Sequence, residues 1–275
     1  WTRRGGAEVN GSWDDNGKTI VRSTVVNGSD VYVGLGLSVG DAEVWRWNGT
    51  SWQQIAGDGV RSSWADATFE DVTDLKIAGT TLYASLGTST AGDAEVWECN
   101  LATGCTDWTK IGGDGLNGGW GINVYEQVTS MAVIGTDIYA GLGRSASDAE
   151  VWRWDGASWT KVGGDSVLGS WSTGYETVQS LRADGSTLYA GIGDTAGDAE
   201  AWVYNGCSWT KIGGDGLNGG WSSANEYVSS LTVVGGNVYA GLGSTAGDAD
   251  VWRWDGTSWT QVGGDGLNGS WAAST

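Results

Sequence analysis

The sequence predicts an all-β chain, a five-bladed β-propeller with four antiparallel strands per blade. Three observations predict it. A repeat of roughly 50 residues occurs five times, marked by three series of tryptophans. Within each repeat, short alternating runs rich in β-branched residues are separated by Gly-containing turns, and no segment has helical periodicity. The 275 residues include 49 Gly and 20 Trp but no Pro, which fits many tight turns between packed strands rather than disorder.

The tryptophan series fix the repeat. Trp52, Trp108, Trp159, Trp209 and Trp259 each open a segment such as SWTKIGGDG. Trp45, Trp97, Trp152, Trp202 and Trp252 mark the strand before it. Trp64, Trp120, Trp171, Trp221 and Trp271 follow the Gly-rich turn after it. One unit reads in order from Glu126 to Gly164. EQVTSMAVIG alternates as a first strand, and IYAGLG is a second whose glycines imply a close backbone neighbour. AEVWRW is a third, with Trp152 and Trp154 on one face. Asp155-Gly156 is a hairpin turn signal, and SWTKVGG is the fourth strand. The blades then span approximately residues 19–69, 70–125, 126–175, 176–225 and 226–275. The tryptophans of the third and fourth strands are expected to fill the gaps between blades.

Residues 1–18 are a surplus copy of the fourth strand and turn, Trp1 to Gly6 followed by Asn10-Gly11-Ser12-Trp13. The fourth strand therefore occurs six times and the first three strands five times. Trp1 to Gly6 is expected to complete the last blade and displace the C-terminal segment, or to pair with a second molecule. Arg3 and Arg4 in an otherwise acidic chain favour pairing between molecules. The chain begins at Trp1 without Met, which reads as a processed product or an excised piece.

Charge and composition narrow the function. The formal net charge of −19 repels phosphate backbones, so nucleic acid is excluded as a partner. No run of 18 apolar residues exists, so membrane insertion is not expected. There is no His, and no nucleophile elbow, phosphate loop, CxxC or HExxH pattern. Carboxylate pairs open every third strand: Asp41/Glu43, Asp93/Glu95, Asp148/Glu150, Asp198/Glu200 and Asp248/Asp250. Their repetition argues against a single asymmetric catalytic site, so the chain is read as non-catalytic. Two readings fit the pairs. Each Asp closes a turn through local hydrogen bonds, or the two carboxylates share a calcium ion. No other cofactor is expected.

Cys99 and Cys105 flank a loop about five residues longer than its counterparts. A disulfide stapling that hairpin is the economical reading, against two unrelated buried thiols, and it implies an oxidising, extracellular or cell-surface setting. Cys207 is left free.

The turn GGDGLNGGW, Gly112 to Trp120, and its copies form the candidate binding site. Each offers backbone groups, an amide (Asn117, Asn218 or Asn268) and a tryptophan (Trp64, Trp120, Trp171, Trp221 or Trp271), the equipment for a sugar. The alternative is that these tryptophans plug the rim between blades. Glu70, Glu126, Glu176 and Glu226 follow five or six positions later.

The run WTKIGGDGLNGGWSSANEYVSSLTVVGGNVYAGLG resembles the repeat of the tachylectin-2 family, five-bladed lectins. The shared marks are Trp209, Lys211-Ile212-Gly213, Gly219-Gly220-Trp221, Gly236 and Val238-Tyr239-Ala240. They recur at Trp108, Lys110-Ile111-Gly112 and Gly118-Gly119-Trp120. The resemblance covers about half of each repeat. It implies N-acetylated sugar binding, one site per blade, at Gly119, Trp120, Gly220 and Trp221. Ser63-Trp64, Ser170-Trp171 and Ser270-Trp271 depart from the family's GGW, and the third strand AEVWRW is unlike the family's. Two functions follow as expectations: a multivalent lectin-like protein, or a structural subunit of an extracellular filament assembled by strand exchange.

Overall fold

The computed structural model describes residues 2–13, 20–64, 69–121, 125–243 and 249–271. Every long element is a β-strand. The only helices among the described residues are seven single-turn 3₁₀ segments of three residues each. None is long or apolar enough to cross a membrane.

The chain divides into two compact units, residues 1–137 with 154–159, and residues 138–153 with 160–275. The first holds two runs of four antiparallel strands, and the second run is joined to the third repeat by a single bridge, Gly87 to Gln127, so that those two repeats make one eight-stranded sheet. The two runs are β1 (Val21–Asn27), β2 (Asp30–Leu35), β3 (Val44–Trp47) and β4 (Trp52–Ala56), then β5 (Asp71–Ala78), β6 (Thr81–Gly87), β7 (Glu95–Asn100) and β8 (Trp108–Gly112). The unit boundary cuts through the third repeat, which supplies β9 (Gln127–Ile134), β10 (Asp137–Gly143), β11 (Val151–Trp154) and β12 (Trp159–Gly163). The second unit holds β13 (Val178–Asp184), β14 (Thr187–Ile192), β15 (Glu200–Tyr204) and β16 (Trp209–Gly213). A last sheet follows in β17 (Val228–Val234), β18 (Asn237–Leu242), β19 (Val251–Trp254) and β20 (Trp259–Gly263).

The hairpin signals act as read. In the turn from β15 to β16, Asn205 Oδ1 accepts the N–H of Cys207 and of Ser208, each at 2.9 Å, and Gly206 takes a φ of 93°. Asp155 and Asp255 close the equivalent turns in the same way. The turn sets register, so Trp47 faces Trp52, Tyr204 faces Trp209 and Trp254 faces Trp259. Cys99 occupies that position opposite Trp108, which turns it toward its own loop. There it bonds Cys105, with the Cα atoms 5.0 Å apart, as expected from the loop length. Arg61 of the preceding turn clamps the loop by donating to the carbonyls of Gly104 and Cys105 at 2.6 and 3.0 Å. Cys207 is free and exposed.

Successive sheets pack through the first strands. A side chain on Gly34 would come within 2.7 Å of Val72, and one on Gly191 within 2.7 Å of Val228, so glycine is what admits the next sheet. Farther out, each fourth-strand tryptophan reaches back one repeat. Trp108 Nε1 donates to the Ile55 carbonyl at 2.8 Å, Trp209 to Val162 at 2.7 Å and Trp259 to Ile212 at 2.8 Å. These rings are buried where the sequence places them, whereas the third-strand tryptophans Trp45, Trp97, Trp152, Trp202 and Trp252, also expected in the core, are only half-buried.

The surplus N-terminal copy follows the same rule. Trp52 Nε1 donates to the Arg4 carbonyl at 2.7 Å, so Arg4 stands in the place of Ile55, Val162 or Ile212. Residues 2–13 contain no assigned strand, and β20 keeps its own partner β19. Displacement of the C-terminal segment from the last sheet is thereby corrected: Trp254 and Trp259 already hold that register.

Candidate functional site

The turn after each fourth strand is self-satisfied. In the copy after β8, Asp114, Gly115, Asn117 and Gly118 all have φ between 55 and 76°, which the Gly and Asn residues tolerate best. The Gly115 N–H donates to the Trp120 carbonyl at 2.7 Å. The amides expected to meet sugar hydroxyls instead brace the turn. Asn117 Nδ2 donates to Ile111 and Asn218 to Ile212, both at 3.0 Å, and Asn268 donates to Val262 at 3.3 Å.

The tryptophans of these turns need a correction. Trp64, Trp120, Trp171 and Trp221 are each 2% exposed. Their indole N–H groups are spent on the carbonyls of Ala42, Ala94, Ala149 and Ala199 at 2.6–2.7 Å. Each ring meets a tryptophan of the following fourth strand edge-on, as Trp221 meets Trp259 at 4.9 Å. A ring covered on its faces and satisfied at its N–H gives a sugar nothing to stack on. Gly119 and Gly220 lie beneath those same rings: a side chain there would approach Trp159 or Trp259 at 3.4 Å. Trp271 alone of the series is exposed, at 42%.

The carboxylate pairs also separate into two jobs. The Asp closes its own loop: Asp41 Oδ2 accepts the Ser38 N–H at 3.2 Å, and Asp148 that of Ser145 at 3.3 Å. Asp93 and Asp198 accept the hydroxyls of Thr88 and Thr195 at 2.7 and 2.6 Å. The Glu turns to the next tryptophan. Glu43, Glu95, Glu150 and Glu200 accept the indole N–H of Trp45, Trp97, Trp152 and Trp202 at 2.6–2.8 Å. Lys110, Lys161 and Lys211 bind the other oxygen of Glu95, Glu150 and Glu200, and each also pairs with Asp114, Asp165 or Asp215. Sharing of one calcium ion by each pair is corrected accordingly. The two carboxylates have different partners, and the described residues hold no cluster of three or more candidate ligands. Asp248 lies outside the described residues, and Asp250 receives Gln261 Nε2 at 2.7 Å.

In the first unit this network borders an open cleft of about 730 Å³. Its walls include Phe69, Asp93, Glu95, Trp97, Lys110 and Asp114, with Trp64 at the back. Trp97 is half-buried, with its N–H fixed on Glu95 Oε2. Burial pushes the Glu95 carboxyl above the usual carboxylate range, outweighing the hydrogen bonds from Lys110 and Trp97 that pull it down. Burial disfavours the Lys110 ammonium, but Asp114 and Glu95 outweigh that and hold it above the ordinary lysine value. The cleft therefore presents an aromatic ring beside fixed charged donors and acceptors.

Sequence reasoning placed the site one element too early. Glu95 was legible as half of a carboxylate pair, and Trp97 as a core ring. Their union with Lys110 is set by strand register, which places Lys110 opposite Trp97 on the neighbouring strand. Phe69 carried no sequence signal beyond preceding Glu70.

No family model matches the chain, and no curated protein is similar to it in sequence. Solved structures are similar in fold. The WD40 repeats of RRP9 superpose with a TM-score of 0.57 at 12% identity, covering 88% of this chain and 62% of that one. The WD40 β-propeller domain of Doa1 gives 0.53 at 13% identity, covering 87% and 66%. The fold is a β-propeller fold. The GH74 xyloglucanase of Xanthomonas campestris gives 0.56 at 13% identity, covering 85% of this chain and 37% of the enzyme. The chain thus spans less than two thirds of the length of these structures, and at such identities the likeness is one of fold.

Proposed function

We propose that this chain is a non-catalytic, carbohydrate-binding β-propeller protein of the extracellular space or cell surface, and that its binding group is the third-strand network rather than the Gly-rich turn. The observation that carries the reading is the cleft at Trp97. A half-buried indole stands beside Glu95, Lys110 and Asp114, so a sugar ring meets an apolar face and fixed hydrogen-bonding partners at once. The same group of four recurs as Trp152, Glu150, Lys161 and Asp165, and as Trp202, Glu200, Lys211 and Asp215. The disulfide supports an oxidising setting. The resemblance to tachylectin-2-type repeats supports N-acetylated sugars as the class to try first.

The test is calorimetric titration of the native protein with triacetylchitotriose, alongside a glycan array read with and without calcium. Binding independent of calcium is expected, weakened about three- to tenfold by Trp97→Ala. Absence of binding to any glycan sinks the reading.

A further inference from the structure

The residue before each first strand's leading glutamate varies among the repeats. Phe69, Tyr125, Tyr175 and Asn225 each stand directly before the glutamate that leads into a first strand, Glu70, Glu126, Glu176 and Glu226. The backbone holds each through its carbonyl. The Phe69 carbonyl accepts the Gly40 N–H at 2.9 Å, that of Tyr125 accepts Gly92 at 2.9 Å and Ala94 at 3.3 Å, that of Tyr175 accepts Ala149 at 3.2 Å, and that of Asn225 accepts Gly197 at 3.1 Å.

In the second unit, the Tyr175 hydroxyl donates to Glu200 Oε1 at 2.7 Å, the same oxygen that takes Lys211. Trp202 holds Oε2. Three donors thus converge on one carboxylate that is 3% exposed. In the first unit, Glu95 has the matching lysine and tryptophan, and these are its side-chain donors among the described residues. Phe69 occupies the tyrosine's position and lines the cleft, but it has no hydroxyl. At this position the two repeats differ by a hydroxyl group that reaches the glutamate, a carboxylate able to accept a further hydrogen bond.

Resting on the sugar-binding reading, we infer that the Tyr175 hydroxyl takes on Glu200 the place that a ligand hydroxyl takes on Glu95. Phe69 makes the second repeat's cleft a binding site, and tyrosine closes its counterpart. Site number is then set repeat by repeat at this one position. A polyol that donates a hydroxyl to a buried carboxylate while resting on Trp97 is the ligand class this geometry takes. An anionic sugar is disfavoured by Asp93, Glu95 and Asp114 around a single ammonium.

The experiment is titration of triacetylchitotriose into native protein, Phe69→Tyr and Tyr175→Phe, with far-ultraviolet dichroism as a check on folding. Phe69→Tyr faces an open cleft and is expected to fold. It should weaken the second-repeat site about tenfold or more, because its own hydroxyl competes for Glu95. Tyr175→Phe should add one site to the stoichiometry. Native binding with neither change overturns this inference and leaves the sugar reading standing. No binding by the native protein overturns the sugar reading and this inference with it. Were Phe69→Tyr not to fold, the stoichiometry of Tyr175→Phe decides alone.

Discussion

The last two turns of the chain have nearly the same sequence, GGDGLNGGW ending at Trp221 and GGDGLNGSW ending at Trp271. Both make the same local bonds. Gly216 donates to the Trp221 carbonyl at 2.7 Å and Gly266 to that of Trp271 at 2.6 Å, and each indole N–H reaches an alanine at the start of its own third strand. Yet Trp221 is 2% exposed and Trp271 is 42% exposed. The difference is the following repeat. Trp252 and Trp259 meet Trp221 edge-on at 6.1 and 4.9 Å, whereas no such ring contact meets Trp271 among the described residues. The turn folds from its own residues, and its burial comes from its neighbour, as in repeat proteins whose stability is a sum over adjacent interfaces. Trp13 sharpens the point. It belongs to the surplus N-terminal copy, and Trp45 and Trp52 of the first repeat cover it at 5.9 and 5.2 Å.

Substitution at the two ends of this comparison should give the largest difference. Trp221→Ala empties a closed site between repeats and is expected to cost about 3–5 kcal/mol in urea unfolding. Trp271→Ala removes a half-exposed ring and should cost under about 1 kcal/mol. Equal losses would mean that the turn stabilises the chain by itself, and the neighbour's part would then be wrong.

The same comparison explains what the sequence made legible. The fold was readable because its marks are local. Strand alternation, the Asp155-Gly156 hairpin signal and the spacing of the tryptophans each survive in a window of a few residues. The Cys99–Cys105 bridge was readable because both cysteines bound one short loop. The site was not, because exposure is a property of the next repeat. Trp120 and Trp221 look like stacking platforms only until Trp159 and Trp259 lie against them. The acidic pairs misled for a related reason. Period two puts Asp198 and Glu200 on one face of an ideal strand, but Glu200 belongs to β15 while Asp198 still belongs to the loop and bonds Thr195. Lys211, which takes Glu200, comes from the neighbouring strand and is eleven residues away.

That lysine gives the next prediction, of intermediate size. Glu200 is nearly enclosed, while Lys211 keeps a quarter of its side chain exposed. Lys211→Met would leave a buried carboxylate with only Tyr175 and Trp202, and should cost about 2 kcal/mol, less than a fully buried pair because solvent still reaches the lysine. The sign of the pH dependence follows from the folded protein. Burial alone would lower the Lys211 ammonium, but Glu200 and Asp215 outweigh it and hold it above the ordinary lysine value of 10.5. Burial, reinforced by Glu200, raises the Tyr175 hydroxyl as well. Both groups then contribute stability that is complete below their ordinary values and is lost as pH rises through the raised ones. Urea midpoints should therefore fall with rising pH above about 10.5, and less steeply in Lys211→Met. A native midpoint that stays level there would contradict the network.

The smallest effect is a gain, and it comes from the repeat in which the third-strand indole N–H is left unpaired. Trp45, Trp97, Trp152 and Trp202 all donate to a glutamate two residues earlier. At Trp252 that residue is Asp250, one methylene shorter, and the lysine of the second, third and fourth repeats is Gln261, as it is Gln54 in the first. Asp250 Oδ1 still accepts Gln261 Nε2 at 2.7 Å, but Trp252 Nε1 is buried with no hydrogen-bond partner among the described residues. A buried donor left unpaired carries its desolvation cost uncompensated. Asp250→Glu supplies the missing length, so its second oxygen should reach the indole and stabilise the chain by about 1 kcal/mol. A pair of controls separates this from a general effect of charge or size. Trp202→Phe removes a satisfied N–H and should destabilise, because Glu200 loses a donor. Trp252→Phe removes an orphan and should be nearly neutral apart from the smaller ring. In the Asp250→Glu background, Trp252→Phe should become as costly as Trp202→Phe. If it stays neutral there, the added methylene has not brought the carboxylate to the indole, and the fifth repeat departs from the others for a reason other than reach.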